Sequence, residues 1–347
     1  MSIIDLAAIL PNISNGLANT GFLFGAGTSV EAGYPMMPGL TREVVAGLDT
    51  AARANLEEAL AAFGLVYEAA SGEPNIELIA DKVKEHAINS GDARFTALEA
   101  RLRELVTDVI LGITSPNLDH HVRLLELLKQ RTYGRPSCIY FFTTNYDVLF
   151  EIAGALTGVV VETGFAGSVE RFFDPQRFNT VCGALQGNAR FAEHPALTVR
   201  LIKLHGSVSW FAHAGKIFER HPAAIPATEK RVMVLPRRGK VMDTLQYPYD
   251  TLFREMSQSL GTSCKYLVSC GFSYGDDHIN ASLIQPAVAD AKIRLFALSA
   301  NETAGMAALK TARAFGAGFD AAGISQGLPH ATGTDLWKFS KFVELFA

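Results

Sequence analysis

The apolar positions of this chain fall into two rhythms. Short unbroken apolar runs read as strands buried on both faces. They are Phe22-Leu-Phe24, Ser137-Cys-Ile-Tyr-Phe-Phe142, Gly158 to Glu162, Val199 to Leu204, Tyr266-Leu-Val-Ser-Cys270 and Ile293-Arg-Leu-Phe-Ala-Leu298. Elsewhere apolar residues recur at helical spacing, in Asn55 to Ala70, Phe95 to Ile113, Leu118 to Arg131 and Asp250 to Leu260. Pro74-Asn-Ile-Glu77 reads as a helix start, with Ile76, Ile79 and Val83 on one face. Two further helices close the chain, Glu302 to Phe315 and Asp335 to Phe346.

The alternation of apolar strands with helices predicts an α/β protein with a parallel sheet. The stretch 40–130 carries no strand signal and reads as a helical insertion. Residues 208–260 form a small mixed subregion, with a hairpin of Val208 to Phe211 and Lys216 to Phe218 and a short run from Val232 to Leu235. Residues 164–197, rich in glycine, phenylalanine and proline, read as irregular.

Composition narrows the class. Of 347 residues, 48% are hydrophobic, enough for a sizeable core. A net charge of −4 makes no case for a nucleic-acid surface. No apolar run reaches membrane-span length, and Met1-Ser-Ile-Ile-Asp-Leu6 lacks the basic start of a signal peptide. Cys138, Cys182, Cys264 and Cys270 show no paired spacing, so a structural zinc is not expected, and Cys138 and Cys270 read as buried thiols. A reduced, cytoplasmic protein is expected.

Chemistry gathers where strands end. Phe22-Leu-Phe24 runs into Gly25-Ala-Gly-Thr-Ser29, and a strand, a glycine turn and a helix start together suit a phosphate. Thr28 and Ser29 are placed to cap that helix or to donate to the anion. The spacing departs from the dinucleotide fingerprint, because Val30 stands where a third glycine belongs. Gly25, Asn145, His205, Ser273 and Asn301 each follow a strand, and ligand crevices in open parallel sheets lie at those ends. Taken alone, Asn145-Tyr-Asp147 reads as a helix cap and His205-Gly206 as a turn. His120 and His121 read as facing solvent or a helix contact. His278, beside Asp276 and Asp277, reads as a helix-start loop and not as a metal site, since no other spaced ligand accompanies it. Lys230, Arg231, Arg237, Arg238 and Lys240 make a basic cluster whose default is a solvated face.

Five segments together resemble the Sir2 (sirtuin) superfamily. They are Gly25-Ala-Gly-Thr-Ser-Val-Glu-Ala-Gly-Tyr-Pro35, Thr143-Thr-Asn-Tyr-Asp147, Lys203-Leu-His-Gly-Ser207, Gly271-Phe-Ser273 and Asn301, in the superfamily's order. The resemblance implies one Rossmann-like NAD⁺ domain over 1–347. Gly25, Ala26 and Gly27 would hold the pyrophosphate, with Ser29 near the ribose phosphates. Asn145 and Asp147 would line the nicotinamide-ribose pocket, His205 would be the base, Ser273 and Asn301 would meet the adenosine half, and Thr143 and Gly271 would also bind the cofactor.

Two departures set the chain apart from the superfamily's deacylases. It lacks four zinc cysteines after His205-Gly206, and it carries Gly33-Tyr-Pro-Met-Met-Pro38 in place of a segment with Asp and Arg. It is more similar to bacterial Sir2-like NAD⁺ hydrolases of anti-phage systems, which deplete NAD⁺. That similarity implies an NAD⁺ glycohydrolase without zinc and a homo-oligomer. It also implies a defence partner such as a HerA-like ATPase or a phage-sensing protein. A zinc-free deacylase or ADP-ribosyltransferase, and a non-catalytic NAD⁺ or ADP-ribose sensor, stay open.

Overall fold

The computed structural model describes residues 17–194, 196–226, 228–234, 247–290, 292–299, 303–311, 319–320 and 335–347. Its centre is a parallel sheet of β1 (Thr20–Phe24), β2 (Ser137–Thr143), β3 (Val160–Glu162), β4 (Leu197–Lys203), β5 (Tyr266–Cys270), β6 (Arg294–Leu298) and β7 (Phe319–Asp320). The spatial order is β7-β6-β5-β1-β2-β4-β3. β1 lies between β5 and β2: β2, β4 and β3 lie on one side of it, and the chain crosses to the other side for β5, β6 and β7. The crevice of an open parallel sheet opens at such a reversal.

Both sheet faces are covered, which is why the strands are apolar throughout. Successive side chains point to opposite faces. Leu23, Phe142, Ile202 and Leu267 accordingly join a core with Leu252 and Met256 of the helix Tyr249–Ser259. Phe22, Phe24, Phe141 and Val268 join a second core with Leu124 and Leu128 of the helix Asp119–Arg131. The C-terminal helix Phe339–Glu344 docks on that second face. Its Phe342 meets Phe22 edge-on at 5.8 Å and Phe24 at 5.9 Å. Glu31 fastens the same helix, accepting from the Ser340 backbone N–H and hydroxyl, both at 2.7 Å. Burial pushes the Glu31 carboxyl up, but those two bonds outweigh it and hold the group below its ordinary range.

Five helices occupy the stretch after the glycine turn: α1 (Met37–Ala46), α2 (Thr50–Ala61), α3 (Ile76–Ser90), α4 (Ala93–Leu111) and α5 (Asp119–Arg131). Asp49, Asn75 and Asp92 cap α2, α3 and α4 through their side chains. The α2 pattern runs to Ala70 in sequence, but the helix stops at Ala61 and Gly64 turns left-handed at φ 67°. α1 to α4 share their own core, which also takes in Val208 and Met233. Arg103 of α4 reaches the Met233 carbonyl at 2.8 Å. These helices therefore pack on a second sheet. It is antiparallel, in the order Lys230–Met233, Gly206–His213, Lys216–Glu219, Arg171–Phe173, Phe165–Ala166.

Two expectations change, and of the two readings of His121 the structure takes the helix contact. Residues 164–197 are not irregular: Phe165–Ala166 and Arg171–Phe173 extend the second sheet, and Gly183–Gln186 pairs with Arg190–Glu193. Their strands are only two to four residues long, too short for an alternation signal. Cys138 is exposed, since it lies one residue into β2, ahead of the buried Ile139 to Thr143. His121 is buried within α5, packed on Phe150 at 4.9 Å and Phe339 at 4.7 Å, and neither ring nitrogen has a partner among the described residues. Of the basic cluster, Arg231 donates to the Val208 and Pro222 carbonyls. Arg237, Arg238 and Lys240 lie outside the described residues, as do residues 312–315 of the helix expected to reach Phe315. Among the described residues no helix is long and apolar enough to cross a membrane.

His121 gives the fold an acid weakness. Burial holds its imidazole down at about 4, against an unfolded value near 6.5. The unfolded chain therefore binds the extra proton first. Stability is full above about pH 6.5 and falls by about 3 kcal/mol as pH drops to about 4. Urea midpoints measured at pH 7 and pH 5 check this, with His121→Leu expected to flatten the difference.

Candidate active site

Four strand ends converge on a cavity of about 430 Å³. β1 delivers Gly25, Ala26, Gly27 and Ser29; β2 delivers Thr144, Asn145, Tyr146 and Asp147; β4 delivers His205; and β5 delivers Gly271 and Ser273. Asn301, expected beyond β6, lies outside the described residues. Thr143 does not line the cavity. Its hydroxyl accepts the Asn145 backbone N–H at 3.0 Å and so positions that residue.

The glycine turn serves the fold first. Gly25 N–H donates to Cys270 O at 3.3 Å, and Gly27 N–H to Gly271 O at 3.0 Å. A Cβ on Gly25 would stand 2.5 Å from Gly271 O, and one on Gly27 would stand 2.6 Å from Gly271 Cα. Gly271 itself sits at φ 66°. These glycines let the ends of β1 and β5 touch backbone to backbone. Of the Gly25-Ala-Gly27 amides, only that of Ala26, first in the 3-10 helix Ala26–Ala32, has no partner among the described residues. A side chain at Gly27 would therefore meet the protein before it met a ligand. Gly27→Ala is expected to destabilise the ligand-free protein by about 1–3 kcal/mol through overpacking, seen as a lowered Tm without any NAD⁺ present.

Asn145 knits the turn to β2. Its Nδ2 lies 3.1 Å from Gly25 O, 3.1 Å from Thr28 Oγ1 and 2.9 Å from Ser29 Oγ. Gly25 O accepts only, so the amide must present its NH₂ there, and Oδ1 is the end left for a ligand. Thr28 Oγ1 donates to Gly25 O at 2.9 Å, and Ser29 Oγ donates to Asp147 Oδ2 at 2.7 Å. Both hydroxyls are thus engaged inside the loop cluster and do not cap the helix. Asp147 Oδ1 accepts from Leu149 N–H at 3.2 Å, at the start of α6 (Leu149–Thr157). The Asp147 carbonyl accepts from Lys203 Nζ, which also donates to Glu151 Oε1 and Ser207 Oγ, each at 2.9 Å. Burial pushes the Glu151 carboxyl up, and Lys203 opposes that.

His205 follows β4 and is buried. Its Nε2 lies 3.2 Å from the Nε2 of His278, whose ring stacks on Phe253 at 5.5 Å. Asp276 lies close enough that one ligand atom from each of His205, Asp276 and His278 falls within 4.8 Å of the others. His278 thus belongs with the imidazole of the cavity. The two histidines are far apart in sequence and meet because β4 and β5 end on one edge and a short helix after β5 packs against His205, so no spacing rule could have paired them.

The remaining wall comes from the helical stretch. Tyr34, Pro35, Met36, Met37 and Leu40 line the cavity, as do Asn75, Glu77 and Ile110. Asn75 carried a signal only as the cap of α3. Of the aromatic residues near these strand ends, Tyr34 and Tyr146 line the cavity, whereas Phe142 lies in the sheet core. Burial pushes both tyrosine hydroxyls up, Tyr34 further beside Asp147 and Glu151, so they stay neutral. A second cavity of about 600 Å³ adjoins the first across Gly27, Met36, Gly271, Phe272 and Ser273. Leu298, Trp337 and Phe339 give it apolar walls, and Glu31, Ser299, Thr303 and Lys338 add polar groups.

A family model described as SIR2-like domain matches residues 140–307. The match bears out the resemblance to the Sir2 superfamily. It takes in the Asn145, His205 and Gly271 strand ends and leaves the glycine turn of β1 outside. No curated protein matches the chain. Among solved structures the chain is similar to a Sir2 histidine-to-alanine variant described with deacetylated p53 peptide and 3'-O-acetyl ADP-ribose. The identity is 13% and the TM-score 0.41, over 90% of this chain and 97% of that one. So loose a likeness assigns no residue a role. The family match supports an NAD⁺-related, Sir2-type function.

Proposed function

We propose, from the SIR2-like domain over residues 140–307 as premise, that this chain is an NAD⁺ glycohydrolase. The observation that carries the reading is a two-lobed cleft around one glycine junction. Asn145 and His205 line one lobe, and the second lobe is largely apolar. A dinucleotide has that division, with the nicotinamide ribose in the polar lobe and adenine against Trp337 and Phe339. The pyrophosphate would cross at the orphan N–H of Ala26 and the hydroxyl of Ser273.

The reaction needs little from the protein beyond placement and one base. Water oxygen bonds to the anomeric carbon of the ribose. The glycosidic C–N bond breaks, and its electron pair leaves on the nicotinamide nitrogen. Asn145 Oδ1 orients the water or a ribose hydroxyl, and His205 takes the proton. Tyr34 and Tyr146 line the reacting lobe and limit stray water. The products are nicotinamide and ADP-ribose.

A role in anti-phage defence is part of this proposal and rests on the motif resemblance alone. The test is incubation of purified protein with NAD⁺, with and without an acyl-lysine peptide, followed by mass spectrometry. Nicotinamide and ADP-ribose in both mixtures support a hydrolase. Product only with the peptide favours a deacylase, and tight binding without product favours a sensor.

A further inference from the structure

We propose that His205, His278 and Asp276 form a binding site for a divalent transition ion, Zn²⁺ above all. We further propose that the bound ion holds the enzyme off. The second statement rests on the hydrolase reading, and the first does not.

The spacing that one N–H···N bond between the rings would use is also the spacing an ion would use. The two Nε2 atoms are 3.2 Å apart with their rings inclined by only 22°. Two nitrogens on one tetrahedral zinc, each at about 2.0–2.1 Å, stand about 3.3 Å apart. Ordering of the rings comes from outside the cluster: Phe253 stacks on His278, and Tyr146 lies 6.5 Å from the His205 ring. Asp276 completes a facial set of two nitrogens and an oxygen. Its nearest ligand atom is within 4.8 Å of the others, so it closes by about 1.5 Å at most. It is the least buried of the three and lines the cavity, where a fourth position faces the ligand space. Imidazole nitrogen with one carboxylate suits zinc and its transition-metal neighbours, whereas magnesium and calcium favour oxygen throughout.

The consequence follows from one lone pair. His205 Nε2 cannot ligate an ion and accept a proton together. An occupied site therefore removes the base, and ion removal restores it. The mutual approach of His205 and His278 thereby acquires a regulatory meaning that neither residue has in the hydrolytic step.

Equilibrium dialysis against ZnCl₂ alone, without NAD⁺, tests the site. The wild type is expected to hold about one ion per chain beyond any held by its cysteines, which a Cys138→Ser, Cys182→Ser background separates. His278→Ala and Asp276→Asn in that background are expected to weaken binding by at least about 10-fold to 100-fold, the range seen when even outer-shell partners of metal sites are lost. Asp276→Asn keeps shape and guards against a His278→Ala protein that fails to fold. Cobalt(II) titration adds a spectroscopic check, with tetrahedral bands expected in the wild type and absent in both variants. No ion bound, or variants that bind as tightly, overturns the site. The regulatory step is read as the fold-inhibition of nicotinamide release by Zn²⁺ relative to each protein's own metal-free rate. Inhibition reversed by chelator in the wild type and lost in Asp276→Asn supports it, and equal inhibition of both overturns it. Zinc binding with no hydrolysis by metal-free protein removes the hydrolase reading and leaves the site standing.

Discussion

His205→Ala is expected to lower nicotinamide release by about 10²-fold to 10⁴-fold, the usual contribution of a general base. The loss should fall on kcat, because a proton acceptor acts in the transition state and adds little to ground-state binding. Calorimetry should find NAD⁺ or ADP-ribose binding retained. Asn145→Ala should reach a similar rate but is a less clean probe. Its Nδ2 lies against Gly25 O, Thr28 Oγ1 and Ser29 Oγ. Truncation frees the glycine turn as well as the water, so a loss of stability on the order of 1–2 kcal/mol should accompany the lost rate. The double variant should be little slower than either single one, since both groups serve one step. Undiminished release by folded His205→Ala protein would remove His205 from the mechanism.

Lys203→Met is expected to destabilise the fold by about 3 kcal/mol, the lower end of the range for breaking a buried pair. Lys203 is 1% exposed and places its three donors on the Asp147 carbonyl, Glu151 and Ser207. Removing it leaves Glu151, whose carboxyl burial already pushes up, without its cation. The low end applies because Glu151 keeps 19% of its side-chain exposure. With its folded pKa raised further above the unfolded value, Glu151 destabilises the variant more as pH rises. The deficit in urea midpoint should therefore be larger at pH 7 than at pH 4. Adding Glu151→Leu should recover much of it. A deficit independent of pH would show that lost packing and not the stranded carboxylate is responsible.

The sheet was legible in the sequence for a specific reason. Strands buried on both faces are apolar without interruption, and β5 is found over the very residues, Tyr266 to Cys270, that the run marks. The short strands at Phe165–Ala166 and Arg171–Phe173 were not legible, because two or three residues hold no period. At the site, Gly25, Asn145, His205 and Ser273 could be placed together because each follows a strand, and strand ends share an edge. What the residues do to each other there could not be read. That Gly25 and Gly27 face Gly271 depends on which strand neighbours β1. The meeting of His278 with His205 depends on the packing of a short helix after β5. Asn75, Glu77 and Ile110 reach the cavity through the tertiary placement of α3 and α4, which their local patterns do not specify.

The junction of Gly25 and Gly27 with Gly271 has a consequence for isotope exchange. A loop beside a ligand cavity ordinarily surrenders its amide protons to solvent within moments. Here the Gly25 and Gly27 N–H groups are held by carbonyls at the end of β5, so their deuterium uptake should track opening of the sheet and not of the loop. A ligand then meets a floor that is already still, and little ordering of the turn remains for binding to accomplish. Slow exchange at these two amides before any ligand is added would mark the turn as part of the sheet's own cooperative unit.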